Sequence, residues 1–139
     1  MKVYLANPLG FTVSGRYYLQ QVMVPALSGF LEVIEPFVEG GKLGELSQVG
    51  HQNARLIEEC DLLIAVLDGP DVDSGVAAEI GYAAGLGKIC HGLREDLRVT
   101  GEGLAKVNLQ VAYFIEKSGG QIFERLEDLI EELSCQVEK

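Results

Sequence analysis

The stretch Asp61–Lys88, DLLIAVLDGPDVDSGVAAEIGYAAGLGK, restricts the possible folds of this chain more than any other. Leu62 to Leu67 is an unbroken apolar run, too short to span a bilayer and suited to a parallel strand covered on both faces. Asp68 to Asp73 then turns the chain with Asp68, Gly69, Pro70, Asp71 and Asp73, and leaves Asp73 or Ser74 as the N-cap of a following helix. From Gly75 to Leu86 the residues are small and apolar enough to pack on a sheet, and Gly85 and Gly87 end the helix before Lys88. Strand, acidic turn and helix N-terminus in that order form the crevice where open parallel sheets bind ligands.

Glu79 stands out in this setting. It lies a turn or so into the helix, among Val76, Ala77, Ala78, Ile80 and Ala83. Either it is a surface carboxylate serving the helix dipole, or partial burial keeps it poorly solvated and nucleophilic. Asp73 adds a second carboxyl to the same crevice, either as a simple N-cap or with a chemical role of its own. Two carboxyls in different environments can divide the work of glycosyl transfer, one attacking the anomeric carbon and the other managing a proton.

The run NARLIEECDLLIAVLDGPDVDSGVAAEIGYAAGLGK resembles the signature region of the nucleoside 2-deoxyribosyltransferase family, which also includes deoxynucleoside 5′-monophosphate N-glycosidases. Asp73-Ser74-Gly75-Val76-Ala77-Ala78-Glu79-Ile80-Gly81 matches the family pattern D-x-G-x-x-x-E-x-G at each fixed position. The resemblance implies that Glu79 attacks C1′ of a deoxyribose and that Asp73 contacts the base and takes part in proton transfer. It also implies that Tyr4 holds the catalytic carboxylate, that Phe11 stacks on the base, and that Asn108 reaches the sugar of a neighbouring subunit in a homo-oligomer. Asn53 stands where transferases of the family commonly carry an Asp; it can orient a substrate group but cannot act as an acid at neutral pH. The implied substrates are a nucleoside or deoxynucleotide and a free nucleobase, with no cofactor. Residues with other readings stay open: Tyr4 as a core tyrosine, Phe11 as a staple under its loop, Asn53 as a buried amide satisfied by backbone.

Composition fits one domain spanning residues 1–139, with 47% hydrophobic and 23% charged residues. A net charge of −10 argues against a nucleic acid polymer, which needs clustered Lys and Arg, but not against a neutral nucleoside. No apolar stretch is long enough for a membrane span and the N-terminus MKVYLANP lacks a signal peptide's core, so a cytoplasmic location is expected. Cys60, Cys90 and Cys135 are odd in number and scattered, and His51 and His91 are isolated, so neither a disulfide framework nor a metal site is expected.

Along the rest of the chain, Val3–Ala6 reads as a first strand, and the loop Leu9–Gly15 follows it beside the crevice. Its glycine spacing is not a dinucleotide fingerprint, and GYAAGLGK is not a P-loop. Arg16–Gly29 reads as a helix shortened or bent by Pro25, Phe30–Pro36 as a second strand, and Gly40, Gly41 and Gly44 as a flexible link. Glu45–Cys60 reads as a helix, Ile89–Leu93 as a fourth strand, Val111–Ile115 as a fifth, and Gln121–Val137 as an amphipathic closing helix. In the loop Arg94–Gly103, Arg94 and Arg98 either meet a phosphate or a neighbouring subunit, or are neutralised by Glu95, Asp96 and Glu102. The expected fold is an α/β, five-stranded parallel sheet with helices on both faces, a flavodoxin/Rossmann-like three-layer sandwich. The expected activity is transfer of deoxyribose between bases through a covalent Glu79 intermediate. The alternatives are hydrolysis of deoxynucleoside 5′-monophosphates, with Ser14, Ser74 and the amides at Gly75 holding phosphate, and a nucleotide-binding sensor without chemistry.

Overall fold

The computed structural model describes residues 1–36 and 46–137. Five parallel strands form one sheet in the order β2-β1-β3-β4-β5. They are β1 (Lys2–Ala6), β2 (Glu32–Ile34), β3 (Leu62–Val66), β4 (Ile89–Leu93) and β5 (Ile122–Phe123). The chain moves outward from β1 to β2, then returns across β1 to build β3, β4 and β5 on the other side. The loops leaving β1 and β3 therefore diverge, and their divergence opens a crevice at the carboxyl ends of these two strands.

Alternation along the two central strands explains the three layers. Tyr4, Ala6, Leu63, Ala65 and Leu67 belong to one buried cluster, while Val3, Leu5, Leu62, Ile64 and Val66 belong to the other. Every residue of β3 is buried, so its uniformly apolar text reflects cover on both faces. The first face carries α3 (Leu46–Glu59), α4 (Ser74–Gly85) and α5 (Leu109–Lys117), through Ile57, Val76, Ile80, Val111 and Ile115. The second carries α1 (Val13–Tyr18), α2 (Val24–Ser28) and α6 (Leu126–Val137), through Leu19 and Met23 of the turn between α1 and α2, Leu27 of α2, and Leu126, Leu129 and Leu133 of α6.

The first helical segment begins earlier than its sequence suggests. Thr12 caps it by accepting from the Gly15 amide at 3.0 Å, so Gly15 lies inside α1 and not in the preceding loop. A π turn, Leu19–Met23, joins α1 to α2 just ahead of Pro25. The missing proline amide gives the local backbone a reason to leave the α pattern there. At the other end of the crevice, α4 is capped by Asp73 and stopped at Gly87, whose φ of 77° suits only glycine well.

Two expected elements are corrected. Val111–Ile115 lies within helix α5 and is not a strand. Asn108 caps this helix, accepting from the Gln110 amide at 2.9 Å, and the pair Val111 and Ile115 buries one helical face. The fifth strand is Ile122–Phe123, within the segment whose pattern predicts the start of the closing helix. It pairs with Gly92 and Leu93 of β4, and the chain reaches it through Gly120, where a Cβ would come within 1.8 Å of the Cys90 carbonyl oxygen. The closing helix consequently begins at Leu126. The glycine link at 40, 41 and 44, and Glu45, lie outside the described residues.

Candidate functional site

The site grows from the two central strands and the helix that follows β3. Tyr4 sits on β1 with no exposed surface, on the face that carries α4. Its hydroxyl donates to Glu79 Oε1 at 2.8 Å, bridging 75 residues of sequence. Burial foremost, then the charge of Glu79 and the hydrogen bond to it, with a smaller push from Glu35, holds the Tyr4 phenol far above its ordinary pKa. Tyr4 thus keeps its proton and serves as a fixed donor.

Glu79 is half-buried on α4. Burial raises its pKa, the Tyr4 hydrogen bond lowers it, and the nearby charge of Asp73 raises it again. The result is a carboxylate with a raised pKa, one fixed donor and a thin hydration shell. A group in that state can add to an electrophilic carbon more readily than one saturated by water.

Asp73 is the N-cap of α4. Its Oδ1 accepts from the amides of Gly75 at 3.0 Å and Val76 at 3.1 Å, while Asp71 Oδ1 accepts from Val72 in the turn just before it. Ser74 and Gly75 are exposed at the start of the helix. Tyr4 and Glu79 are thus hydrogen-bonded, Asp73 lies within electrostatic reach of Glu79, and Ser74 and Gly75 are exposed at the start of the same helix.

The other sequence candidates are placed differently. Phe11 lies in the short 3-10 turn Leu9–Phe11 after β1, 71% exposed. Asn53 is half-buried on α3, one turn before the core residues Leu56 and Ile57. Asn108 donates through Nδ2 to Glu102 at 3.2 Å while its Oδ1 caps α5. No hydrogen bond among the described residues joins Phe11, Asn53 or Asn108 to Glu79 or Tyr4.

The phosphate role considered for Arg94 does not fit its surroundings. Arg94 is buried, and its guanidinium donates to the carbonyl oxygens of Leu67, of Gly69 at 3.3 Å and of Arg98 at 2.9 Å. It pins the turn after β3 to the loop after β4. Arg98 pairs with Asp96. A concavity along α3, between Ser47 and Glu59, includes none of the candidate residues.

Two polar side chains at the crevice were missed by sequence reasoning, Asn7 at 5% and Glu35 at 7% exposure. They follow the ends of β1 and β2, and Asn7 Nδ2 donates to Glu35 Oε1 at 3.3 Å. The available signal was a polar residue closing each of two apolar strands.

The family sequence model described as "Nucleoside 2-deoxyribosyltransferase" matches residues 3–133. A search of curated proteins finds no significant match. Among solved structures, a conserved protein from Enterococcus faecalis V583 is 25% identical with a TM-score of 0.78, over 98% of each chain. A 2-deoxyribosyltransferase from Leishmania mexicana has 24% identity and a TM-score of 0.71, over 99% of this chain and 97% of that one. A CMP N-glycosidase from Clostridium botulinum has 20% identity and a TM-score of 0.60, over 98% and 99%. The last two likenesses speak to fold. With the match running from the first strand into the closing helix, and with the pattern Asp73-x-Gly75-x-x-x-Glu79 seated at the crevice of that fold, the chain belongs to the nucleoside 2-deoxyribosyltransferase family.

Proposed function

We propose that the protein cleaves the N-glycosidic bond of 2′-deoxynucleosides and transfers the sugar to another base. The observation that carries this reading is the Tyr4–Glu79 hydrogen bond, which fixes a half-buried carboxylate within electrostatic reach of Asp73. Glu79 attacks C1′, so that a C1′–O bond forms as the C1′–N bond breaks and its electron pair leaves with the base. The departing base takes a proton managed around Asp73. An acceptor base then attacks C1′ through nitrogen, loses a proton, and frees the Glu79 carboxylate. Water in place of that base gives hydrolysis.

Phe11 stacks on the base, Asn53 orients a base or sugar group, and Ser74 and Gly75 form the rim near the sugar. Asn108 serves the site of a neighbouring copy in a homo-oligomer. A neutral nucleoside is favoured over its 5′-monophosphate by the state of the α4 N-terminus. The amides of Gly75 and Val76, which could otherwise meet a phosphate, already point at the Asp73 carboxylate.

Incubating each 2′-deoxynucleoside and its 5′-monophosphate, with and without a second base, and separating the products by chromatography tests the reading. Base exchange with the nucleoside, plus a deoxyribosyl mass on the peptide containing Glu79, is expected. Turnover of monophosphates alone would move the protein to the hydrolase branch. Tight nucleoside binding with no product would make it a sensor.

A further inference from the structure

We propose that Glu35 is a positioning residue for this site, acting through Asn7 to set the loop that carries Phe11; the idea rests on the nucleoside reading above. Asn7 and Glu35 lie just past the carboxyl ends of adjacent strands, and both are nearly inaccessible to solvent. Burying an amide and a carboxyl costs free energy unless their polar atoms are matched, and Asn7 is matched on every side. Its Nδ2 donates to the Leu5 carbonyl at 3.1 Å and to Glu35 at 3.3 Å, while its Oδ1 accepts from the Leu9 amide at 3.0 Å.

The Leu9 bond is the important one. It begins the 3-10 turn Leu9–Phe11, and the same turn receives Arg16, whose guanidinium donates to the Gly10 carbonyl at 2.9 Å. An unbound Asn7 amide can rotate; held by Glu35 and the Leu5 carbonyl it presents Oδ1 to Leu9 in one orientation. Glu35 thus determines where the turn starts, and the turn determines where Phe11 stands. Glu35 is also close enough to Tyr4 for its charge to oppose ionisation of that phenol. The carboxylate at the end of β2 is therefore connected to the Phe11 loop through hydrogen bonds.

The test combines ligand-free and ligand-bound measurements on the full chain. In amide exchange, Asn7→Ala and Glu35→Ala are each expected to speed exchange across Leu9–Thr12 and leave β3 unchanged. Each should raise KM for the deoxynucleoside about tenfold with little change in kcat, the scale expected for a loop that must be reordered on binding. The KM effects of the two single changes should not multiply in the double variant, because both cut the same connection to the loop. Glu35→Gln, which retains an acceptor for Asn7, should preserve the exchange pattern and KM, and it serves as the folded comparison should Glu35→Ala fail to fold. Unchanged Leu9–Thr12 exchange in Asn7→Ala or Glu35→Ala, multiplied KM effects in the double variant, or loss of loop protection in Glu35→Gln would overturn the proposal. A parent chain that protects Leu9–Thr12 but turns over no deoxynucleoside would instead count against the enzymatic reading, and exchange would still judge Glu35.

Discussion

Two neighbouring corners of the same sheet edge treat their acidic side chains in opposite ways. Beyond β3 and β4, the charged side chains are held by backbone groups or by one another, with Arg94 Nε the one buried side-chain polar atom among the described residues left without a partner. Asp68 Oδ1 accepts from the amides of Glu95 at 2.8 Å and Asp96 at 2.9 Å, Asp96 accepts from Gly69 at 3.1 Å and from Arg98, and Arg94 is enclosed by carbonyl oxygens. The Arg98 hydrogen bonds hold the Asp96 carboxyl well below the usual carboxylate range, while burial raises Asp68 against the two amides that pull it down. Beyond β1 and α4, Glu79 has one phenolic donor and another carboxylate for company, and its pKa moves up. Acids of the first kind fix loops in place. An acid of the second kind is held ready to react, because few of its lone pairs are committed before substrate arrives.

The sharpest way to break this contrast is Glu79→Gln. Turnover should fall roughly 10⁴-fold or more, as expected when a covalent nucleophile is removed, and single-turnover product analysis would read it. Stability should respond in the other direction. A carboxyl whose folded pKa is raised contributes stability that is present below its unfolded pKa and lost as pH rises through the folded value. At neutral pH the ionised Glu79 therefore strains the fold, and the Gln variant should melt no lower than the parent; a clearly lower melting temperature at pH 7 would assign Glu79 to the structural class.

Arg94→Met tests the opposite corner by leaving the Leu67, Gly69 and Arg98 carbonyls without their donor. A stability loss of about 3 kcal/mol in urea titration is expected for breaking a buried charged network. Tyr4→Phe removes the one donor to Glu79 among the described residues. With a hydrogen bond to a charged group contributing about 2 kcal/mol, kcat/KM should drop about 30-fold. Because that bond lowers the Glu79 pKa, the acidic limb of the pH–rate profile should also move to higher pH. An unmoved limb would remove Tyr4 from the mechanism. The smallest effect belongs to Arg98→Ala: its exposed pair with Asp96 should leave the melting temperature nearly unchanged and little altered by salt. A large shift there would show that the loop corner depends on its surface charges as well as on Arg94.

Much of the central unit was legible because its signals are local. The apolar run from Leu62, the Asp73 cap and the glycine stop at Gly87 all act within a few residues of one another, and the structure follows them closely. The same local rules misplaced the fifth strand. Val-Ala-Tyr-Phe-Ile reads equally as a buried strand or one side of a helix, and the deciding signal was the cap at Asn108. A two-residue strand at Ile122–Phe123 leaves almost no pattern, since its existence depends on an open edge at β4 and on Gly120 slipping past Cys90. Arg94 likewise reads as a phosphate or subunit contact, or as a partner of the loop acids, until its backbone carbonyl partners are seen.

By itself the sequence determined a parallel α/β unit with an acidic turn, a capped helix and the motif Asp73 to Glu79, because periodicity and capping are short-range. Only the tertiary structure decided which groups face one another. The Tyr4–Glu79 contact is one the family resemblance already implies, whereas Asn7 meets Glu35 through the parallel alignment of β1 with β2, a contact nothing in the sequence announced. Such pairings follow from burial shared across the whole sheet, and no local pattern of residues specifies that.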